Sequence, residues 1–422
     1  MAAQIIIVDD DPLVGGLTLE LLTDAGYSAL LLADSLKAQD IIKAEKPALV
    51  ILDILMPGLD GLTLLHRLKS DPATKPIRAI IVSGKSFEAE KRRAAQYGAE
   101  AFIEKPYDVD LFAQKVEELM KKQGVEARKP ALAPAAPAPI ARASVEAVVW
   151  GCRASGEAAP AATRYGTHTA CVSVETPSNL FIFDAGSGIS LLGNELMKNG
   201  KHKLLWLFLT HFHPDHVEGL ANFPCARDKD YTLYISGASD PDKPLEQELK
   251  TVLEAGFGNL MPPAKIELYE LMEQTYAILP GVRLSVFYAN HPGTTLAYIL
   301  QTEGRKIVYC PDSELYGEYG TALQDYDEKI GAACRGADLM FHDGRYTAED
   351  YKKNRNSGHS SFLAAVDFAG KNLIKTMVLV HQDASYTDDT LEAMDKEAQA
   401  RVDKRGYKVK VLLGREGLRI TA

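Results

Sequence analysis

The sequence predicts a two-domain α/β protein, in which a parallel sheet covered by helices on both faces is followed by a larger domain of strands and helices. The chain of 422 residues is about three times as long as a typical domain of ~150 residues. Apolar strand-like runs alternate with amphipathic helical stretches, and a run rich in alanine and proline separates two such regions. With 46% hydrophobic and 25% charged residues, the composition is that of a folded globular protein.

Net charge, hydropathy and cysteine content indicate which ligands and which cellular compartment the sequence favours. A formal charge of -10 at pH 7 opposes general binding along nucleic acid. No apolar run approaches the ~20 residues that cross a bilayer, and the acidic start MAAQIIIVDDD lacks the basic segment of a signal peptide. The five cysteines have no CxxC spacing and an odd number, which suits a reducing compartment. We therefore expect a cytoplasmic protein that does not associate with membranes.

A linker is predicted at residues 124–144, GVEARKPALAPAAPAPIARAS, because alanine and proline runs of this kind form extended, semi-rigid spacers. It separates a first domain at residues 1–123 from a second at residues 145–422. In the first domain the alternation of apolar runs and helical stretches predicts a parallel sheet with helices on both faces. The predicted strands are Ile5 to Val8, Ala29 to Leu32, Leu49 to Leu52, Ala79 to Val82 and Ala101 to Ile103.

Polar side chains follow these strands. Asp9 and Asp10 come after the first strand and Asp53 after the third, and the carboxyl ends of parallel strands line one crevice. Carboxylates gathered there repel one another unless a cation binds, and an all-oxygen site suits Mg²⁺. Ser83 ends the fourth strand and Lys105 follows the fifth, so a hydroxyl and an ammonium group are available to a phosphoryl group. This pattern predicts a phosphorylatable aspartate.

The segments VDDDP, LDILMPGLDG, VSG and EKP, in this order and spacing, resemble the receiver domain of two-component response regulators. The resemblance covers residues 1 to about 123 and implies a sensor histidine kinase as partner. It implies a phosphoacceptor at Asp53 and, around it, the pocket residues of the family: Asp9 and Asp10 on Mg²⁺, Ser83 and Lys105 on the acyl phosphate, and Phe102 as the switch aromatic.

The second domain contains many strand-like apolar runs with helical patterns between them, which predicts an α/β or α+β domain. The predicted strands are Glu146 to Val149, Ala170 to Val174, Leu180 to Phe183, Leu204 to Leu209, Leu284 to Tyr288, Leu296 to Leu300, Lys306 to Tyr309, Leu339 to Phe341 and Met377 to Val380.

A dinuclear metal site is predicted after the run LLWLFL, in the segment THFHPDH. Alternate residues of an extended segment point the same way, so His211 and His213 can face one cation, while Asp215 and His216 can reach a second. Such ions need about four to six ligands each, so further ligands must come from downstream. Candidates at strand ends are His291, Asp312 and His381. This set of nitrogen and oxygen ligands admits zinc, manganese or iron.

The second domain resembles the metallo-β-lactamase superfamily, from about residue 146 to the C-terminus. FDAGSG around Asp184 resembles the first motif and THFHPDH the second, and His291, Asp312 and His381 occupy the positions of the other three. The resemblance implies an αβ/βα sandwich with two metal ions. It implies that one ion binds His211, His213 and His291, that the other binds Asp215, His216 and His381, and that Asp312 bridges them. Asp184 is expected to support the ligand loop.

Four further segments narrow the resemblance: GCRASGEAAPAATRYGTHTACVSVE, HPGTTLAYIL, FHDGRY and SGHSS. They are similar to the phosphodiesterase branch that includes ribonuclease Z and the cyclic-phosphate phosphodiesterases. This implies that an acid at Asp343 orients His359, which protonates the leaving oxygen. Two positions depart from the branch, because Asp343 stands in place of the usual Glu and Ala154 in place of the usual Gly.

Together these observations predict a response regulator whose output domain is a dinuclear, metal-dependent phosphodiesterase controlled by phosphorylation of Asp53. We count Asp215, His359 and Asp343 as catalytic. The substrate is expected to be a small nucleotide-like or cyclic diester, and a homodimer is possible. Structured RNA is not expected to bind, because acids outnumber bases in the insert at residues 237–279, where ribonuclease Z has a basic arm.

Two alternatives stay open. A lactonase or thioesterase uses the same dinuclear site, although the pair of Asp343 and His359 argues against it. A signalling module without turnover would keep the fold, although the complete set of seven metal ligands argues against that. A flavin-dependent oxygen reductase is disfavoured, because that branch has Glu at the position of His213.

Overall fold

The computed structural model of the chain describes residues 3–83, 88–105, 107–125, 127, 144–156, 164–257, 262–315 and 324–422. Most of the predicted linker, residues 126 and 128–143, lies outside the described residues, so the boundaries at 123 and 145 stay a prediction. The chain forms two compact units, one of residues 1–141 and 275–284 and one of residues 142–274 and 285–422. Among the helices of the described ranges, none has the length and apolar character to span a membrane.

The first unit contains a five-stranded parallel sheet in the order β2-β1-β3-β4-β5. Its strands are β1 Ile5–Val8, β2 Ala29–Leu32, β3 Leu49–Asp53, β4 Arg78–Ser83 and β5 Ala101–Glu104, followed by the short β6 Tyr107–Asp108. Its helices are α1 Pro12–Asp24, α2 Ser35–Glu45, α3 Gly61–Ser70, α4 Glu88–Gln96 and α5 Val109–Lys122. The predicted parallel sheet is confirmed.

The central strands of this sheet are apolar on both faces because helices cover both. Ile5 and Ile7 of β1 pack with α1 and α5, whereas Ile6 and Val8 pack with the residues of α2 and α3. This alternation is the period of two that a strand imposes on its side chains. Strands β1 and β3 pair in register from Ile5 with Leu49 onward, so both end at the same edge and place Asp9 near Asp53.

The second unit consists of two sheets with helices outside them. The strands that follow β6 in the chain, including β13 of the first unit, are β7 Glu146–Gly151, β8 Cys171–Glu175, β9 Leu180–Phe183, β10 Leu204–Phe208, β11 Thr232–Ala238, β12 Lys265–Leu271, β13 Thr275–Leu279, β14 Val282–Tyr288, β15 Leu296–Thr302, β16 Arg305–Cys310, β17 Leu339–Asp343, β18 Thr376–Val380, β19 Lys410–Leu413 and β20 Arg419–Thr421. The helices are α6 Ile189–Asn199, α7 Pro214–Val217, α8 Leu245–Phe257, α9 Gln324–Cys334, α10 Ala348–Lys353, α11 Phe362–Lys371 and α12 Asp388–Arg405.

The two sheets of this unit pack face to face. One has the strand order β12-β11-β10-β9-β8-β7-β20, and the other contains β19-β18-β17-β16-β15-β14. Aromatic rings join them, with the centroids of Phe183 and Tyr309 at 5.1 Å and those of Phe208 and Tyr298 at 5.7 Å. Helices α6 and α8 cover the outer face of the first sheet, and α9, α11 and α12 cover that of the second. The predicted sandwich is confirmed.

Residues 237–257 and 262–271 form part of the sandwich and not a separate insert, which corrects the interpretation made from the sequence for that part of residues 237–279. Strand β12 pairs in parallel with β11 along its whole length, from Thr232 with Lys265 to Ala238 with Leu271. Helix α8 buries Leu245 and Leu249 in the same core as β11. Both segments are therefore part of the sandwich. Strand β11 was missed because serine and glycine interrupt its apolar run, and β12 because charged residues stand between its apolar ones, as in strands near a sheet edge.

One short segment belongs to the first compact unit, although the chain before and after it belongs to the second. It comprises residues 275–284, which form β13, the turn after it and the first residues of β14. There β13 pairs antiparallel with β6, and the amide of Gly281 donates hydrogen bonds to the Glu20 carboxylate on α1 at 3.0 Å. The chain then enters the second unit along β14, which ends at Tyr288.

Candidate functional site

The pocket of the first unit is built from two buried carboxylates joined by one lysine. The Lys105 ammonium lies 2.8 Å from Asp9 Oδ2 and 2.5 Å from Asp53 Oδ1. The Leu55 amide donates to Asp53 Oδ2 at 2.7 Å. Burial raises the pKa of Asp9, although Lys105 opposes this shift. One cation therefore balances two neighbouring acids.

The other residues predicted for this pocket lie at the ends of the neighbouring strands. Ser83 is buried at the end of β4, and its carbonyl accepts a hydrogen bond from the Lys105 amide at 2.8 Å. Phe102 is half-buried on β5, with the Lys91 ammonium 5.9 Å from the centre of its ring. Asp10 is exposed beyond the end of β1. The arrangement presents a carboxylate, a hydroxyl and an ammonium group at one edge of the sheet.

The THFHPDH segment changes from extended chain to helix at its proline. His213 has extended dihedral angles and caps the one-turn helix α7, which begins at Pro214. Proline suits this first helical position because its fixed φ is helical and its missing N–H has no helical partner to lose. His211 and His213 thus lie on extended chain, while Asp215 and His216 project from the helix.

Four side chains form the first ligand group, His211, His213, His291 and Asp312, with ligand atoms all within 4.8 Å of one another. His213 Nδ1 lies 2.8 Å from His211 Nε2 and 3.3 Å from His291 Nε2. Asp312 Oδ2 lies 3.4 Å from His211 Nε2. These are the residues proposed from the resemblance for one metal ion, together with the proposed bridge.

Asp215, His216 and His381 form the second ligand group. Asp312 adjoins this group as well, with Oδ2 at 3.3 Å from His216 Nε2 and Oδ1 at 3.1 Å from His381 Nδ1. Asp312 thus contacts both groups, as a bridging ligand must. Contributions come from the ends of β10, β14, β16 and β18, which meet at one edge of the sandwich.

The buried polar atoms of this cluster fit divalent cations. His216 Nε2, Asp312 Oδ1 and His381 Nδ1 are buried and have no hydrogen-bond partner among the described residues. Asp312 Oδ1 and His381 Nδ1 are only 3.1 Å apart, yet their orientation does not make a hydrogen bond. Unpaired polar atoms are costly inside a protein. Cations between them would remove that cost, since a carboxylate oxygen and deprotonated imidazole nitrogens bind divalent transition metals.

Burial and charge set the protonation of the ligands. Burial lowers the pKa of His211 and of His381 well below the usual value, which leaves both imidazoles neutral. Burial also opposes a charged His216, but Asp312 and Asp184 outweigh it and raise its pKa. Without a metal, His216 therefore holds a proton between two carboxylates. Metal binding would release that proton.

Asp184 supports the ligand loop. Its Oδ1 accepts a hydrogen bond from the Thr210 amide and its Oδ2 contacts His216 Nδ1, both at 2.8 Å, while the Tyr309 hydroxyl donates to Oδ2 at 3.0 Å. Such contacts fix the ring orientation of a ligating histidine. Asp184 and His381 both have positive φ, at 60° and 61°. Such strained backbone is often found at functional sites.

The loop that contains GCRAS also reaches the metal ligands. The Ser155 amide donates to Asp215 Oδ2 at 2.9 Å, and the Ala154 amide donates to the carbonyl of Gln382 at 2.9 Å. Ala154 is buried, so this loop accommodates alanine where the related branch has glycine. Gly186 has no such freedom, because a Cβ there would lie 2.2 Å from the carbonyl oxygen of Asp215.

Asp343 and His359 form a buried pair beside the ligand groups. His359 Nδ1 lies 2.8 Å from Asp343 Oδ2, and the His359 ring stacks on His381 with centroids 5.0 Å apart. Burial opposes charge on His359, but the Asp343 carboxylate outweighs it and raises the pKa of the imidazole. Although Asp343 is one methylene shorter than the glutamate of the related branch, its carboxylate therefore still reaches His359. The structure places His359 Nδ1 on Asp343 and leaves Nε2 for other contacts.

The sequence analysis missed Glu314, a buried residue that holds the His359 loop. Its carboxylate accepts hydrogen bonds from the Tyr351 hydroxyl and from the amides of Asn356 and Gly358, at 2.8 to 2.9 Å. The Gly358 carbonyl in turn contacts His291 Nδ1 at 3.0 Å. Glu314 therefore positions both the candidate ligand His291 and the loop that contains His359. The sequence offered one indication of this residue, because Glu314 follows the candidate ligand Asp312 by two residues, just after a strand end.

Replacing Glu314 with alanine is expected to lower activity and metal affinity about 10- to 100-fold, the usual effect of removing a partner behind a metal ligand. The change removes the acceptor of three hydrogen bonds, two of them buried, which is expected to free the loop of Gly358. Glu314→Gln keeps an acceptor oxygen and should lose less. Metal content by elemental analysis and kcat would be compared with the exposed Glu349→Ala variant. Unchanged values in Glu314→Ala would contradict this role.

The comparisons with known proteins agree with both domains. Residues 5–117 match the family model of the response regulator receiver domain, and residues 180–382 match that of the beta-lactamase superfamily domain. The chain is 30% identical over 116 residues to the polar-differentiation response regulator DivK of Brucella anthropi, covering 28% of this chain and 94% of that protein. It is 30% identical over 119 residues to the transcriptional regulator RpaA of Synechocystis sp., covering 28% of this chain.

The similarity to several of these relatives is confined to part of their length. The chain spans 49% of RpaA and 52% of the Synechocystis response regulator Rre1. Among solved structures, the metallo-β-lactamase fold protein YhfI from Bacillus subtilis superposes with a TM-score of 0.50 at 18% identity, covering 66% of this chain and 100% of that one. This likeness supports the fold of the second unit.

Fold and site together define a receiver domain joined to a domain of metallo-β-lactamase fold. The chain belongs to the response regulator receiver family through its N-terminal residues. The sequence motifs predicted a receiver domain and a domain of metallo-β-lactamase fold, and both predictions are confirmed.

Proposed function

We propose that this protein is a response regulator whose output domain is a metal-dependent phosphodiesterase for small nucleotide-like or cyclic diesters. The observation that carries the proposal is the buried pair of Asp343 and His359 beside the ligand groups. The His359 ring lies 4.8 Å from that of His291 and 5.0 Å from that of His381. A proton donor at this place serves a reaction with a basic leaving oxygen, as in the hydrolysis of an alkyl phosphodiester.

The ligand residues suit two divalent ions of zinc, manganese or iron, with Asp312 between the groups of His211, His213 and His291 and of Asp215, His216 and His381. When bound, such ions supply Lewis-acid charge at the oxygens of a phosphoryl group. Asp184, Thr210 and Tyr309 hold the ligand loop. Asp343 accepts the Nδ1 proton of His359 and favours the protonated imidazole, whose second proton, on Nε2, is the one proposed for the leaving oxygen. In the receiver pocket, Mg²⁺ would bind at Asp9, Asp10 and Asp53.

A substrate panel with Zn²⁺ and Mn²⁺ tests this function. It contains cyclic mononucleotides, cyclic dinucleotides, bis-p-nitrophenyl phosphate, a thioester and a lactone. Hydrolysis of at least one diester, with weak or no turnover of the lactone and the thioester, is expected. Turnover of the lactone or thioester alone would replace the proposal with its acyl alternative, and no turnover of any substrate by metal-loaded protein would favour a silent signalling module. Structured RNA is expected not to compete.

Phosphorylation of Asp53 is proposed to control the hydrolase, with a cognate histidine kinase as donor. A phosphoryl group adds charge beside Asp9 and Lys105, and receiver contacts respond to such charge. The first unit also contains residues 275–284, from which β14 leads within the chain to the loop of His291. A change in the packing of that segment would therefore reach a metal ligand along one strand.

Loading Asp53 with a small phosphodonor or beryllofluoride is expected to change activity about 5- to 150-fold in either direction, the usual range of a coupling between two sites. The measurements are kcat, KM and the mass in solution, which also tests the proposed homodimer. Asp53→Ala serves as control and should not respond. If neither activity nor mass changes in the wild type, the receiver does not regulate this domain in the way proposed.

A further inference from the structure

Arg345 is a cation at the metal site to which the sequence motifs assigned no role. Its Nη1 lies 2.9 Å from His359 Nε2, the ring nitrogen that Asp343 leaves available. Its Nε donates to Asp383 Oδ2 at 3.2 Å. The backbone amide of Arg345 donates to Asp343 Oδ1 at 2.9 Å. The backbone of Arg345 is thus anchored at the end of β17, and its guanidinium is held by Asp383, an acid from the loop after His381.

The donors of this guanidinium are only partly used. Within the ranges that the structure describes, Nε and Nη1 have partners and Nη2 has none. The side chain is 19% exposed, so it is neither free in solvent nor enclosed. Guanidinium groups bind phosphoryl oxygens through planar, paired donors. Arg345 therefore has the geometry and the spare donors to bind an anion that enters beside His359.

The hydrogen bonds at His359 free a donor of Arg345 for such an anion when His359 acts on the substrate. Nε2 of the imidazole cannot accept a hydrogen bond from Arg345 and donate one to a leaving oxygen at the same time. When His359 serves the leaving oxygen, Nη1 of Arg345 must turn to another acceptor. A non-bridging oxygen of the phosphoryl group lies next to the leaving oxygen in any phosphate ester, and it is an acceptor for a cationic donor.

We infer that Arg345 binds a non-bridging phosphoryl oxygen of the substrate and selects anionic phosphate esters over neutral carbonyl esters. This inference rests on the proposed phosphodiesterase function and deepens it. A lactone or a thioester has a neutral carbonyl group and gains little from a fixed cation at this position, whereas every phosphodiester carries a negative charge on the group to be bound. Arg345 is thus a specificity residue for the same site.

The test compares Arg345→Gln and Arg345→Lys with the wild type, all loaded with the metal that supports activity. In Arg345→Gln, KM for bis-p-nitrophenyl phosphate and the inhibition constant of inorganic phosphate are each expected to rise about 10- to 100-fold, the value of a charge-assisted hydrogen bond. The change in kcat should be smaller, because the contact forms on binding. Arg345→Lys should recover part of the phosphate affinity. Calorimetry with inorganic phosphate gives the same affinity independently of turnover.

Controls separate binding from folding. Thermal melting and metal content identify a variant that is merely destabilised, and Arg335→Gln removes an exposed arginine elsewhere in the same unit. If Arg345→Gln is folded and metal-loaded but keeps the phosphate affinity and KM of the wild type, the inference is wrong. If Arg345→Gln does not fold, Arg345→Lys decides: a folded, metal-loaded Arg345→Lys with the phosphate affinity and KM of the wild type would overturn the inference. A wild type that binds phosphate through Arg345 but hydrolyses no diester would overturn the proposed function alone.

Discussion

Replacing Asp312 with asparagine is expected to abolish diester hydrolysis, with a loss of about a thousandfold or more. Asp312 is the residue that adjoins both ligand groups, at 3.3 Å from His216 Nε2 and 3.1 Å from His381 Nδ1. Metal ions contribute several kcal/mol of transition-state stabilisation, and each 1.36 kcal/mol corresponds to a factor of about ten in rate. An amide keeps the shape of the side chain but lacks the negative charge that would stabilise two neighbouring cations.

Elemental analysis and circular dichroism test this result along with kcat. We expect about two metal ions per chain in the wild type, fewer in Asp312→Asn and in Asp215→Ala, and a retained fold in all. Asp230→Asn, on an exposed turn, is the matched control. Full activity of metal-free wild type after chelation, or normal metal content and activity in Asp312→Asn, would disprove the assignment.

Replacing His359 with alanine is expected to lower kcat by about 10²- to 10⁴-fold for substrates with alkoxide leaving groups, the usual contribution of a general acid. His359 is held by Asp343 at 2.8 Å, and its ring lies against those of two metal ligands. The substitution removes the proton donor without removing a ligand of either proposed ion. For p-nitrophenolate, which leaves without a proton, the loss should be clearly smaller.

The comparison of leaving groups is what distinguishes an acid from a structural residue. Asp343→Asn should reduce kcat less than His359→Ala, because the ring stays in place but its tautomer is no longer fixed. His202→Ala, whose imidazole contacts Glu175 away from this site, is the control for loss of a buried ring. Equal losses for alkoxide and nitrophenolate substrates would argue against proton donation by His359.

Much of the fold followed from local sequence. Strands β1, β3 and β4 are short apolar runs, and strands buried on both faces are recognisable from such runs alone. Strands β11 and β12 were missed because TLYISGA contains serine and glycine, and KIELYEL alternates charged with apolar residues. Their place in the sheet depends on pairing with one another and on cover by α8.

The candidate ligands could also be predicted from a local signal, because His211, His213, Asp215 and His216 stand together in one segment. The packing of Leu245 into the core could not be predicted, and so residues 237–257 and 262–271 were misread as part of an insert. The assignment of residues 275–284 to the first unit also has no local signal, since β13 has the same apolar character as any strand of the second unit.

By itself, the sequence determined the two folds, the carboxylate pocket around Asp53 and the identity of the candidate metal ligands, because each depends on residue types at fixed spacings along the chain. Only the tertiary structure decided that Glu314 holds the loop of His359 and that Arg345 contacts its Nε2. These contacts join residues from different strand ends, and their distances depend on how the sheet packs rather than on the order of residues. A hydrogen bond needs donor and acceptor atoms about 3 Å apart. The spacing of residues in the sequence does not predict distances between separate strands and loops to that precision.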